Sequence, residues 1–210
     1  PDPVFRPLTD VALNTARKLG ATYADIRIAR YHTQGANLRT QPEFMTGAIR
    51  HVPGVSERES FGFGVRVLVN DTWGFAASHR VDRDEVARIT REAATVAKTN
   101  AALRRHGPRV QLAPVQSATD LYRTPFRKDP FAISLAQKLD FLRAINEEVM
   151  KVPKVFQVRS NLAFRSQHKW FASTDGSYIE QFIQQVIPGY ACTAVDRERR
   201  LRRDRSYAPP

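Results

Sequence analysis

The twenty residues from Glu59 to Ser78 constrain the fold of this chain more than any other segment. Phe61, Phe63, Val65, Val67 and Val69 share one parity, as do Trp73, Phe75 and Ala77 beyond the break at Asn70-Asp71. An alternation with period two is a strand signal, and two such runs around a short polar break make a hairpin. Facing residues of a hairpin lie on the same side of the sheet, so the loop length decides which side chains gather. A two-residue loop would set Trp73 opposite Leu68 and split the apolar set. A three-residue loop, Asn70-Asp71-Thr72, pairs Val69 with Trp73 and Val67 with Phe75, and the sequence predicts this odd loop. Gly62 and Gly64 lack the third glycine and following helix of a phosphate cradle, and read instead as places where another backbone comes close.

Helical spacing appears three times. Apolar residues at 8, 11, 12, 16 and 19 predict a first helix over Leu8–Leu19, with Thr9 or Asp10 near its start and Gly20 as its stop. Asp82-Arg-Asp-Glu85 is a capping-box arrangement in front of Val86, Ile89, Ala93, Val96 and Ala97, so its carboxylates read as caps. Ser134 with Gln137 opens a third helix that runs to Lys151 and ends before Pro153.

The remaining strands are predicted as short pieces. Ala24–Arg30 alternates and turns across Tyr31–Gly35 into Ala36–Thr40. Residues 41–58 read as a loop with a short strand near Ala48–His51. Arg104–Pro130, with His106-Gly-Pro108, Pro114, Pro125 and Asp129-Pro130, reads as an aperiodic connector. Four strands follow: Val155–Phe164, a turn near Gln167-His168, Lys169–Thr174, a two-residue Asp175-Gly176 turn, Ser177–Ile187, a break at Pro188-Gly189, and Tyr190–Val195. The fold class is therefore α+β: antiparallel sheets of hairpins and a meander, packed with about three amphipathic helices. Helix-then-strands recurs at 8–78 and 134–196, which admits two similar halves although they share little wording. The domain division predicted is a helix/hairpin/helix subdomain at 1–103, a Pro-rich connector at 104–132, a helix plus four-strand meander at 133–197, and an Arg-rich tail at 198–210.

Composition narrows the setting. No apolar run approaches the roughly 18 residues of a membrane span. One cysteine excludes an internal disulfide and suits a reducing compartment, with Cys192 read as a small buried hydrophobe. The first residues, Pro1-Asp2-Pro3, carry neither Met nor a leader pattern, which leaves removal of an export signal open. The net charge of +12 includes six Arg between 197 and 205. That cluster reads as a nucleic-acid footprint, as complementarity to an acidic partner, or as a solvated segment, and Tyr207 alone interleaves it with an aromatic ring.

The Glu59–Ser78 hairpin and the later Phe171–Gln181 hairpin, with a Pro-rich connector between them, resemble the N-terminal half of TldD/PmbA proteins, the "modulator of DNA gyrase" family of metallopeptidases. Leu112-Ala-Pro114, Lys128-Asp-Pro-Phe131, Val152-Pro153 and Thr193-Ala-Val-Asp196 extend the resemblance in the same order. The family's chemistry sits on a His-Glu-x-x-x-His helix, and none of the five histidines here, at 32, 51, 79, 106 and 168, precedes a Glu. The resemblance thus implies a non-catalytic N-terminal domain of a zinc peptidase acting on peptides or unfolded polypeptides, cytoplasmic as a rule. No catalytic or metal residue carries over, and zinc is expected in a C-terminal catalytic domain absent from this sequence. The implied partners are that domain, a homodimer or heterodimer mate from the family, and a peptide substrate, with no membrane and nucleic acid disfavoured. Within this domain the polar tip Ser173, Thr174, Asp175, Gly176 and Tyr178 is the candidate wall of a substrate groove. The competing reading is a nucleic-acid-binding or gyrase-modulating interaction module.

Overall fold

In the computed structural model, which describes residues 4–103 and 110–207, three helices accompany a seven-stranded sheet, the α+β class expected. The elements are α1 (Arg6–Lys18), β1 (Tyr23–Pro42), β2 (Ile49–Val69), β3 (Thr72–Ser78), α2 (Arg83–Leu103), β4 (Thr119–Arg123), a 3-10 turn at Pro130–Ala132, α3 (Leu135–Met150), β5 (Val155–Ser173), β6 (Tyr178–Asp196) and β7 (Leu201–Tyr207). The hydrogen-bonded order is β3-β2-β1-β5-β6-β4, with β7 also on β6. His106-Gly-Pro108 lies outside the described residues.

The strands are longer and fewer than the sequence suggested. β1 runs through Tyr31–Gly35 without turning, β2 absorbs most of the segment read as a loop, β5 passes Gln167-His168, and β6 passes Pro188-Gly189. The glycines taken as breaks are crowded cross-strand positions. A Cβ on Gly35 would lie 2.7 Å from Ser56 Oγ, and one on Gly189 would lie 2.9 Å from Asn161 Oδ1. The connector holds a strand as well: β4 pairs with β6 in parallel, Thr119 opposite Tyr178. Nor is the Arg-rich segment a simple tail, since Leu201–Tyr207 pairs antiparallel with β6, Cys192 opposite Arg205. Cys192 is half-buried there, not enclosed.

The first signature hairpin corrects the predicted register. Val67 faces Gly74 and Leu68 faces Trp73, across a two-residue loop in which Asn70 and Asp71 both take positive φ, 50° and 58°. Such a loop matches the right-handed twist of the flanking strands. The apolar set is split because each side has its own demand. Val65, Val67, Val69, Gly74 and Ala76 face the core, where α2 comes so close that a Cβ on Gly74 would overlap the backbone at Ala93 and Ala97. Trp73 could not fit there. On the other side it meets Tyr23 edge-on at 5.7 Å and the Arg66 guanidinium at 5.3 Å. The odd loop occurs in the second hairpin instead: Ser173 donates to Ser177 O and Gly176 to Ser173 O around Thr174-Asp175-Gly176, with Gly176 at φ 96°.

Helix ends follow the sequence with two changes. α1 starts earlier, at Arg6 after Phe5, with Pro7 in its first turn and no side-chain cap; Thr9 Oγ1 donates to Arg6 O. Asp82 does accept from Glu85 N at 2.8 Å, but Glu85 does not return to it. Its carboxylate bonds Ser78 Oγ and Arg88. The Ser134–Gln137 capping box of α3 is complete.

The chain forms two compact units. Unit 1 comprises residues 1–31, 60–124 and 167–183; unit 2 comprises 32–59, 125–166 and 184–210. In unit 1, α1 and α2 pack on one face of the sheet around Ile26, Ile28, Val65, Val67, Val86, Ile89 and Trp170. In unit 2, Leu142 of α3 packs on Ala36 and Leu38. The buried stripe of α3 also includes Lys138 and Asn146, whereas Phe141 is exposed. Asn146 donates to Leu38 O and Thr40 Oγ1, which satisfies backbone and hydroxyl acceptors beneath the helix.

Candidate functional site

Burying Ala24, Ile26 and Ile28 under the helices of unit 1 forces Tyr23, Asp25, Arg27, Ala29 and Tyr31 to the opposite face of β1. Asp25 is enclosed there and accepts from Arg66 Nε at 3.0 Å and Nη2 at 2.5 Å. Burial, then the charge of Asp25, pushes the Tyr23 phenol up to about 12. Arg27 lies over the Phe171 ring, 5.6 Å from its centroid. Beside it is an open groove of about 560 Å³ whose lining includes Arg27, Ala29, Gly62, Gly64 and Ala77, with Phe75 and His79 at its side. The Phe75 ring covers Gly64 at a distance where a Cβ would collide, so the glycine is a seat for that ring; no backbone approaches it, as had been expected. A Cβ on Gly62 would lie 2.8 Å from Ser78 O, the close backbone contact expected there. This arrangement has a floor of small residues capped at Gly64 by the Phe75 ring, with Arg27 at its wall.

The predicted tip is brought together in one hairpin of unit 1. Ser173 and Tyr178 are buried, Thr174 exchanges bonds with Ala24 through its N–H and its Oγ1, and only Asp175 and Gly176 are exposed. A cavity of about 150 Å³ joins the tip to Arg6, Asp10 and Arg17 of α1. Arg6 sits over the Tyr178 ring at 5.2 Å, and Arg17 donates to Thr174 O. Sequence reasoning missed these helix residues. Their positions 6, 10, 13 and 17 lie on one helical stripe, which is the signal that could have found them.

The histidines have separate partners: His32 bonds Glu57 at 2.7 Å, His51 bonds Thr40, and His168 bonds the buried Glu180 at 2.7 Å. Among the described residues no group of three or more His, Cys, Asp and Glu side chains could hold a metal ion. The donor set present does not fit the zinc that the resemblance implies, and no hydrolytic step is assigned to these residues. In unit 2, Lys138 is enclosed by Phe131 and Phe164 and donates to Gln34; burial pushes its ammonium below the ordinary lysine value.

A family model described as PmbA/TldA metallopeptidase domain 1 matches residues 51–97, and one described as the PmbA/TldA metallopeptidase central domain matches 128–208. The chain belongs to the PmbA/TldD family. Solved structures of similar fold include a protein from Bacteroides thetaiotaomicron described as a candidate modulator of DNA gyrase. It is 15% identical, with a TM-score of 0.69, over 99% of this chain and 45% of that one. A Thermotoga maritima protein of the same description gives 15% identity and a TM-score of 0.63 over 97% of this chain and 42% of that one. TldE from Thermococcus kodakarensis gives 14% and 0.54 over 95% and 42%. The chain therefore spans less than half the length of each of these three proteins. Among curated proteins none matches it.

Proposed function

We propose that this chain is the non-catalytic N-terminal part of a TldD-like metallopeptidase that hydrolyses peptides or unfolded polypeptides in the cytoplasm. In this reading it helps wall the substrate groove and offers a surface for a homodimer or a TldD/PmbA heterodimer. The observation that carries the proposal is the match to the family's first and central domains, in that order.

The sheet gives the reading a physical basis. β3 ends the strand order in unit 1, and Thr72–Ser78 contains no charged residue and no proline. Natural edge strands are commonly guarded by such residues, and an unguarded edge accepts an added strand. An extended peptide held by main-chain hydrogen bonds is gripped without regard to its sequence, which suits a broad peptidase. The exposed Asp175 of the hairpin tip is the remaining candidate for a groove contact, and the zinc is assigned to residues beyond this sequence.

Intact mass, zinc content and cleavage of an unfolded substrate by the native gene product test the proposal. A product about twice this mass that holds zinc and cleaves, beside a 210-residue chain that does neither, supports it. Zinc-dependent cleavage by the 210-residue chain alone overturns it. Titration with duplex DNA at two salt concentrations tests the rival module: steeply salt-dependent binding above that of a charge-matched protein favours it.

A further inference from the structure

We propose that the open sheet face of unit 1 is a binding site for an acidic, extended peptide, whose carboxylates are taken by Arg27 of β1 and Lys169 of β5. The inference goes beyond the strand-edge reading above, because it concerns side-chain charge and is measured without cleavage.

Two cations share this face without a counter-ion. Arg27 alternates with buried Ile26 and Ile28, and Lys169 precedes buried Trp170, so both point away from the helices. They stand on neighbouring strands of the sheet, β1 and β5, and the charge of Arg27, after burial, holds Lys169 below its ordinary lysine value. Among the described residues neither forms an ion pair. The nearest acid on the same face of β1, Asp25, is already bonded to Arg66. Like charges gathered on one sheet face repel, and Asp25–Arg66 shows that this face elsewhere sets a carboxylate against its cation. Leaving Arg27 and Lys169 unmatched is explained by a carboxylate arriving from outside.

The surroundings define the form of that ligand. The Arg27 guanidinium lies over the Phe171 ring, 5.6 Å from its centroid, and a guanidinium can take a carboxylate with two N–H groups at once. In the adjoining groove Ala29, Gly62 and Ala77 contribute little or no side chain, and the Phe75 ring lies over Gly64. A main chain can lie over such a floor. Alternate side chains of an extended peptide lie on one side of it, so acidic residues at every second position present their carboxylates to this face.

The test is fluorescence anisotropy of a fluorescein-labelled peptide of alternating Glu and Thr, with Gln replacing Glu as the control. The unaltered chain binds the Glu peptide more tightly than the Gln peptide, and less tightly as salt rises. Arg27→Glu with Lys169→Glu weakens binding by about tenfold or more, whereas Arg203→Glu with Arg205→Glu, an equal change in net charge, weakens it by about twofold or less. Arg27→Gln with Lys169→Gln gives an intermediate loss and decides the matter if the reversed-charge variant misfolds by circular dichroism. Equal losses at the two pairs mean that net charge alone attracts the peptide, and overturn the proposal. So does unchanged binding, or a single-stranded oligonucleotide that displaces the peptide from Arg27 and Lys169 at lower concentration.

Discussion

Asp25 and Arg66 form an ion pair in which only one partner is hidden: the aspartate side chain is 1% exposed and the arginine 45%. Removing the arginine's charge therefore strands a buried carboxylate, whereas removing the carboxylate frees an arginine that water can reach. Arg66→Met is expected to cost about 3 kcal/mol and Asp25→Asn about 1–2 kcal/mol in urea unfolding. Equal costs for the two variants would contradict this asymmetry.

Tyr23 makes the same cluster visible to pH. Its folded value of about 12 exceeds the ordinary 10.0, so its contribution to stability is complete below pH 10 and fades as pH rises toward 12. Absorbance titration should show a late-ionising tyrosine that is lost in Tyr23→Phe. Asp25→Asn should bring that ionisation part of the way back, because burial is the larger cause and remains.

Glu85 works at the acid end. Hydrogen bonds from Arg88 and Ser78 hold its carboxyl at about 2, below the ordinary 4.5. A lowered value means stability that is present above pH 4.5 and lost as pH falls toward 2. Glu85→Gln should flatten the acid limb of the stability curve over that window, and an unchanged limb would show that the bonds to Arg88 and Ser78 do not persist in solution.

Gly74→Ala should be far more damaging than its single methyl suggests. The Cβ would meet the backbone of α2 at Ala93 and Ala97, which cannot swing aside as a side chain can. A loss of about 3 kcal/mol is expected. Asp71→Gly should act in the opposite direction by about 0.5–1 kcal/mol, since glycine takes a φ near 58° without strain. Thermal unfolding of both variants checks the pair, and destabilisation by Asp71→Gly would argue against the two-residue loop.

The helices were legible because their signals are local. The Ser134–Gln137 cap, the Asp82 cap and the 3.6-residue spacing of apolar side chains act within a few residues, and the structure keeps each of them. The place of the second hairpin turn was legible for the same reason, although its loop holds three residues, Thr174-Asp175-Gly176, where two were predicted. Lys138 and Asn146 were not, because a polar residue on the buried stripe of α3 is accepted only where Gln34, Leu38 and Thr40 offer partners from distant sequence. The open-face cations were equally hidden: Arg27 and Lys169 are 142 positions apart, and nothing in either strand says that they share a face.

By itself, then, the sequence determined the α+β class, the three helices with the caps at Asp82 and Ser134, the places of the two hairpin turns, and the family resemblance. Tertiary structure decided the strand lengths, the register of Val67 on Gly74, and the conversion of a connector and an Arg-rich segment into β4 and β7. The physical reason is range. Capping and periodicity are paid within a turn or two of chain, but a glycine becomes a crowded strand position instead of a break, and a tryptophan takes the outer face, only when a neighbour such as Ser56 or the α2 backbone occupies the space beside it.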